Sequence, residues 1–131
     1  MLARVSVRFL SPEWAAELAT RLNADPKFAE ATAGRSVTIQ QTITAEDGPV
    51  DYWLTLDDGV VTLGLGTAPN PTATITQDYS TAVGLARREV NPVTAFMLGR
   101  IRIAGSLGSL MDLQPALGLL ADHMAEMDIE F

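Results

Sequence analysis

Three consecutive segments between residues 37 and 66 alternate apolar and polar side chains with a period of two, and the turns between them are too short for a crossover helix. In residues 37–44, Val37, Ile39 and Ile43 share one face, with Gln41 as its polar exception, while Thr38, Gln40, Thr42 and Thr44 take the other. Glu46-Asp47-Gly48-Pro49 is a turn. In residues 51–56, Tyr52, Leu54 and Leu56 oppose Trp53 and Thr55. Asp57-Asp58-Gly59 then predicts a tight hairpin, because Asp-Gly readily enters the conformations that match strand twist. Residues 60–66 set Val61, Leu63 and Leu65 against Val60, Thr62, Gly64 and Gly66. A sheet that is apolar on one face must have that face covered, so the rest of the chain has to supply the cover.

Gly64 and Gly66 alternate on one face of the third segment, where they weaken a strand and have no side chain to pack. Two readings follow: close packing or curvature at that face, or empty volume that a ligand fills.

Two more strands are written downstream. Ala73, Ile75 and Gln77 alternate with Thr72, Thr74 and Thr76, and Asp78 or Ser80 then caps a helix running through Arg88. Asn91 is an N-cap, Pro92 fits the first helical position, and Gly99 supplies the left-handed residue that ends the segment. Ile101 and Ile103 then alternate with Arg100, Arg102 and Ala104, which predicts a half-buried strand with its arginines on the outer face.

The cover comes from both ends of the chain. Val5, Val7 and Phe9 alternate with Arg4, Ser6 and Arg8, as an edge strand or an extended arm would. Ser11-Pro12 opens a helix with the stripe Trp14, Ala15, Leu18 and Leu22, and Asp25-Pro26 opens a shorter one with Phe28, Ala29 and Ala33, stopped by Gly34. Beyond Ser106, Leu107, Leu110, Met111, Gln114, Leu117, Ala121 and Met124 recur at helical spacing, and Pro115 predicts a kink or a break within them. Residues 116–127 are apolar on one side and acidic on the other, as a fixed roof or a movable cover would be. The expected fold class is α+β: a five-stranded, mostly antiparallel sheet covered on one face by helices, with the first segment as a candidate extra edge strand. At 131 residues the chain is expected to be one domain.

Composition narrows the chemistry. A net charge of −7 argues against nucleic acid, whose binders must neutralise phosphates. Arg87, Arg88, Arg100 and Arg102 form a basic middle, offset by Glu89, and Asp112, Asp122, Glu126, Asp128 and Glu130 form an acidic end. The pattern suits solubility and mutual attraction, and alternatively contact with an anion or a lipid headgroup at a membrane touched transiently. Without cysteine there are no disulfides, thiol nucleophiles or thiolate metal sites. No apolar run approaches the roughly 20 residues that cross a bilayer, and no secretory pattern is evident, so a soluble cytoplasmic protein is expected.

Catalysis has little to build on. His123, the one histidine, reads as a surface helix residue, with Glu126 and Met127 better spaced to approach it than Asp122. No nucleophile-base arrangement, metal cluster or cofactor motif appears. Gly64-Leu65-Gly66 lacks the spacing of a dinucleotide fingerprint, Gly105-Ser106-Leu107-Gly108 lacks the Lys-Ser/Thr of a phosphate loop, and Asp47 and Asp57-Asp58 lack the regular series of a calcium loop. No spacing fixes an oligomeric state.

Thr74-Ile75-Thr76 with Asp78-Tyr79, and then the run from Asn91 through Gly99 and Arg100-Ile101-Arg102-Ile103 to Gly108, together resemble the sterol carrier protein-2 family of lipid-binding domains. The second group is similar to the family's Asn-Pro opening, Ala-Phe-Met-x-Gly helix end, basic-hydrophobic alternating strand and glycine turn. Tyr79 stands where many members have a smaller acidic or polar residue, and the basic strand positions are arginines where lysines are common. The resemblance implies a sheet and helices enclosing an apolar tunnel for a sterol, fatty acid or fatty acyl-CoA. It implies cavity lining by Phe96, Met97, Ile101, Ile103, Leu110 and Met111, and a C-terminal cover at Leu117, Leu120 and Met124. Leu63 and Leu65 join this candidate set from the apolar face of the third strand.

The expected function is therefore non-catalytic binding, and transfer, of an apolar small molecule, driven by about 0.8 kcal/mol for each buried methylene. The alternative is a structural or interaction domain whose interior is simply filled, with Met97, Met111, Met124 and Met127 as core. If Phe96 is buried, its replacement by alanine should cost about 3–5 kcal/mol.

Overall fold

The computed structural model describes residues 6–131, so Arg4 and Val5 of the first alternating segment lie outside the described residues. The chain runs β1 (Val7–Arg8), α1 (Pro12–Asn23), α2 (Pro26–Thr32), β2 (Ser36–Thr44), β3 (Val50–Asp57), β4 (Val60–Leu65) and β5 (Ala73–Asp78). It continues through α3 (Tyr79–Ala86), α4 (Pro92–Met97), β6 (Ile101–Gly105), α5 (Leu107–Asp112), α6 (Gln114–Glu126) and β7 (Ile129–Glu130). Five strands form one sheet in the order β4-β3-β2-β5-β6, antiparallel except for the central β2–β5 pair. The fold is α+β, as the alternation requires.

Turn and cap chemistry places the element ends. Asp58 and Gly59 both adopt positive φ, 45° and 89°, the conformation that lets a two-residue loop follow the twist of β3 and β4. Ser11 accepts from Trp14 N–H to start α1, Asp25 from Lys27 to start α2, and Asn91 from Val93 and Thr94 to start α4. Asp78, not Ser80, caps α3 by accepting from Thr81 N–H at 2.7 Å. That helix stops at Ala86, short of Arg88, which turns left-handed at φ 59°. Pro115 separates α5 from α6: a break at Leu113, with the proline in the first turn of the new helix.

The register stacks the inward side chains into four rows across the sheet. The first is Val61–Leu56–Val37 and the second Leu63–Leu54–Ile39–Ala73, ending at Gly105. The third is Leu65–Tyr52–Gln41–Ile75–Ile103, and the fourth Val50–Ile43–Gln77–Ile101. Helix α1 lies along β4 and buries the whole predicted stripe of Trp14, Ala15, Leu18 and Leu22. At its far end Asn23 closes on the edge strand, donating to Val61 C=O at 2.9 Å and accepting from Val61 N–H at 2.8 Å. Edge strands carry unpaired backbone groups, and this amide occupies one residue's worth of them. Helix α3 packs on β2 and β5, and α6 bridges α1, α2 and α3.

The N-terminal segment does not extend the main sheet. Val7–Arg8 pairs in parallel with Ile129–Glu130, with Val7 N–H donating to Asp128 C=O and Phe9 N–H to Glu130 C=O, both at 2.9 Å. Phe9 follows as the hub of an aromatic cluster, its ring centre 5.4 Å from Trp14, 5.9 Å from Tyr79 and 4.9 Å from Phe131. Trp14 in turn meets Tyr52 edge to face at 5.1 Å.

The two glycines of residues 60–66 differ in role. A Cβ on Gly64 would stand 2.4 Å from the Trp53 ring, so this glycine is the seat of the indole on the sheet's outer face. Gly66 lies past the strand end with φ 97°. Gln40 then fastens the crossover to β5, donating to Tyr52 and Gly66 C=O and accepting from Ala68 N–H at 2.8 Å. Close packing explains Gly64, and chain reversal explains Gly66.

Gly105 and Gly99 offer a test of the backbone argument. Both have positive φ, 92° and 77°, yet a Cβ on Gly105 would meet Thr72 C=O at 2.6 Å whereas one on Gly99 meets nothing. Gly99→Ala should cost about 1 kcal/mol from the left-handed conformation alone, and Gly105→Ala at least about 2 kcal/mol more, read from urea unfolding midpoints.

Candidate apolar ligand site

The four rows are not equally covered. Val37, Leu56 and Val61 of the first are buried, as are Leu54, Ile39 and Ala73 of the second and Ile43, Gln77 and Ile101 of the fourth. Every side chain of the third row is less protected: Tyr52, Gln41, Ile75 and Ile103 are half-buried, and Leu65 is 41% exposed. A folded chain gains by removing apolar surface from water, so a continuous half-open row in the middle of a covered face needs explaining. The connections around β6 supply part of the reason. Helix α4 packs on β6 and delivers the chain to its Ile101 end, while α5 leaves from the Gly105 end and packs on β5. Ile103 lies between them.

The expected lining residues fall into three groups. Leu110 is in the core, and Leu63, Ile103, Leu117, Leu120 and Met124 are half-buried and packed against it. Ile101 is buried at the sheet edge. Leu65, Phe96, Met97 and Met111 lie open, the last three at 41%, 79% and 60% exposure, and Val93, Leu98 and Leu107 join them. Helix α4 is only six residues long and buries a single side chain, Ala95, so its period-matched apolar residues outnumber the face it has to bury. The expected large cost of Phe96→Ala is thereby corrected downward. The sequence reading did not single out Leu113 and Ala116, which are buried at the α5–α6 break, or Gln77 as a buried amide.

Polar groups lie on the half-open row, at Gln41 and Tyr52, and on the buried row beside it, at Gln77. Gln77 Nε2 donates to Gln41 Oε1 at 3.2 Å, and Gln77 Oε1 is buried without a partner among the described residues. Tyr52 neighbours Gln41 across the β2–β3 ladder, and burial pushes its phenol above the usual tyrosine range, which keeps it neutral. Arg102 pairs with Thr76 on the opposite face of the sheet and is exposed, as its alternation predicts.

Two open grooves lie elsewhere. One of about 370 Å³ is lined by Met124, Met127, Ile129 and Phe131 with Arg87 and Glu89. The other, of about 420 Å³, runs past Tyr79, Val83 and Arg100 and shares Arg87, Glu89 and Phe131 with the first. Arg87 lies over the Phe131 ring at 4.8 Å. Met124 is the one expected lining residue that borders either groove.

The cover helix α6 is tied down by side chains. His123 Nε2 meets Asp25 Oδ2 at 2.8 Å, which corrects the reading of His123 as a surface residue: both partners are largely shielded, and the bond joins α6 to the cap of α2. Arg88 pairs with Asp122, realising the attraction between the basic middle and the acidic end, and Arg35 pairs with Asp112 at 3.4 Å. These last two are exposed and contribute at most about 1 kcal/mol each. Among the described residues no group of histidines and carboxylates could hold a metal ion, and no helix is long and apolar enough to cross a membrane.

Comparison with known proteins bears on this geometry. A sequence model described as the SCP-2 sterol transfer family matches residues 10–118. The fold is similar to a crystal structure of sterol carrier protein 2, with a TM-score of 0.78 at 18% identity over 92% of this chain and 99% of that one. It is similar also to a Thermus thermophilus protein described as possibly a sterol carrier protein, with a TM-score of 0.77 at 17% identity over 99% and 97% of the two chains. A third likeness is to part of the inverting sec-alkylsulfatase Pisa1 from Pseudomonas sp., with a TM-score of 0.58 at 24% identity, covering 90% of this chain and 16% of the sulfatase. No match was found among curated proteins.

Two measurements check the geometry. Phe96→Ala should lower stability by less than about 1.5 kcal/mol in urea melts, because the ring is already partly in water. Asp25→Asn keeps a cap but loses the charge facing His123, and the His123 hydrogen bond holds the Asp25 carboxyl below its usual range. A depressed folded pKa stabilises above the unfolded value and stops doing so as pH falls through the folded one. The variant should therefore melt lower than wild type at neutral pH, and the two melting curves should converge as the solution is acidified below the ordinary aspartate range.

Proposed function

The chain belongs to the SCP-2 sterol transfer family, and on that footing we propose that it is a non-catalytic carrier of a long apolar molecule such as a sterol, fatty acid or fatty acyl-CoA. The observation that carries the reading is the half-open third row, with Tyr52, Ile75 and Ile103 half-buried and Leu65 exposed on the otherwise covered face of the sheet. An acyl chain or sterol ring laid along this row would complete the cover the helices leave unfinished, at about 0.8 kcal/mol for each methylene removed from water. Ile75 and Ile103 form its floor. Phe96, Met97 and Met111 are flexible or adaptable side chains that can close over a guest, methionine in particular fitting irregular shapes.

The protein acts as a single domain in the cytoplasm in this proposal, without a cofactor. Its contacts with membranes are transient, made while a ligand is exchanged. Arg100 and Arg102 are both exposed, and with the apolar side chains of α4 they combine greasy and basic groups suited to an anionic bilayer surface. The chain's own net charge of −7 keeps such contact short-lived.

A second reading is favoured by one observation: most of the first, second and fourth rows is packed, Leu63 and Val50 being half-buried, and Trp14, Phe28, Leu18, Leu22, Ile39, Ile43 and Leu56 are all essentially inaccessible. On that reading the chain is a structural or interaction domain, and the open apolar residues of α4 and α5 meet another protein.

Fluorescent fatty-acid and sterol probes titrated into delipidated protein separate the two. The carrier reading expects saturable binding of at least one probe. Ile103→Ala should weaken it about tenfold through lost apolar contact, and Arg102→Ala should change it by less than about twofold while reducing retention on anionic vesicles. Absence of saturable binding to either probe leaves the structural reading.

A further inference from the structure

Three glutamines lie on the central strands, and only one is fully employed. Gln40, on the outer face, donates its two amide hydrogens to Tyr52 and Gly66 C=O and accepts from Ala68 N–H, so both ends of its amide are satisfied. This is how a buried glutamine with a purely structural task is built. Gln41 and Gln77, on the inner face, make one bond to each other at 3.2 Å, and Gln77, only 8% exposed, keeps a carbonyl oxygen with no partner among the described residues. Their sheet neighbours are Tyr52, Ile43, Ile75 and Ile101.

We infer that the Gln41–Gln77 amide pair is a recognition point for an uncharged hydroxyl at the end of an apolar ligand, a sterol or long-chain alcohol in preference to a carboxylate. The inference rests on the carrier reading above and specifies its ligand class. Two primary amides that share one hydrogen bond retain donors on one partner and an acceptor on the other. Reversing both amides together exchanges the roles, leaving free donors on Gln77 and the free acceptor on Gln41, and a hydroxyl satisfies that pair of ends as well. A hydroxyl both donates and accepts, and it satisfies the two free ends at once. A carboxylate only accepts. It would serve the free N–H but set its charge beside the unpaired carbonyl oxygen; Arg102 faces the other side of the sheet, and Arg100, next to Ile101, lies in the groove past Tyr79 and Val83. Tyr52, adjacent to Gln41 in the ladder, adds a neutral hydroxyl and no charge. An ether or ester oxygen, like the carboxylate, has no proton for the Gln77 carbonyl.

The test uses delipidated full-length protein and three probes of one chain length delivered from cyclodextrin: 1-hexadecanol, hexadecyl methyl ether and hexadecane. Wild type should bind hexadecanol about fivefold more tightly than the ether, the yield of one neutral hydrogen bond made in an apolar site. Gln77→Leu should abolish the preference by weakening hexadecanol binding to the level of the ether. Gln41→Leu and Gln77→Met provide the same readout if the first variant folds poorly. Equal affinity of wild type for hexadecanol and the ether overturns the inference and leaves the carrier reading standing, as does an alcohol preference that survives both Gln77 and Gln41 substitution. A lack of saturable binding of all three probes and of the fluorescent fatty-acid and sterol probes overturns the carrier reading itself.

Discussion

One constraint runs through the whole molecule: a twisted five-stranded sheet with one apolar face has to remove that face from water, and the helices available are short. Helix α1 spans β4 from Trp14 beside Tyr52 to Asn23 clasping Val61, and α3 takes the middle over β2 and β5. Helix α6 lies across α1, α2 and α3. What is left over is a row running from Leu65 to Ile103. At its Ile103 end the cover is incomplete where α4 and α5, each of only six residues, enter and leave β6.

The closing of the chain on itself determines how firm the cover is. The parallel pairing of β1 with β7 joins the two ends of the described chain, and Phe9 and Phe131, immediately beyond those strands, meet at a tilt within the aromatic cluster. With the His123–Asp25 bond on the other flank, α6 is fastened at a helix cap and at its C-terminal end. Such a roof moves less readily than the α4–α5 side, where Met97, Leu98 and Met111 have little to hold them. Apolar side chains without packing partners keep rotamer freedom that a guest or a membrane surface would use. In the proposed function, ligand exchange therefore belongs to the β6 edge.

Polar groups on the inner face carry the specificity argument. Gln41 interrupts the alternation of β2 where valine or isoleucine would have completed it, and Gln77 sits one strand away with an unpaired oxygen. Burying such a group without a partner costs about 1–3 kcal/mol, a sum that an otherwise apolar face could have avoided. Gln40, one residue earlier, shows that the fold can satisfy a buried amide completely when the task is to hold a crossover.

Local chemistry alone determined much of this protein. Period-two alternation identified every strand of the main sheet, Asp58-Gly59 its hairpin, Ser11, Asp25 and Asn91 the helix starts, and Pro115 the break between the last two helices. The resemblance carried by residues 91–108 pointed to the family that the sequence comparison then matched over residues 10–118. These features are legible because they depend on neighbours a few residues apart. The exposure of Phe96, Met97 and Met111, the bond from His123 to a residue 98 positions away, the pairing of the two chain ends and the meeting of Gln41 with Gln77 were settled only by tertiary structure. Hydrophobicity says that a side chain prefers burial. Whether a partner surface is there to bury it is decided by strand order, register and helix length together, and no local pattern contains that information.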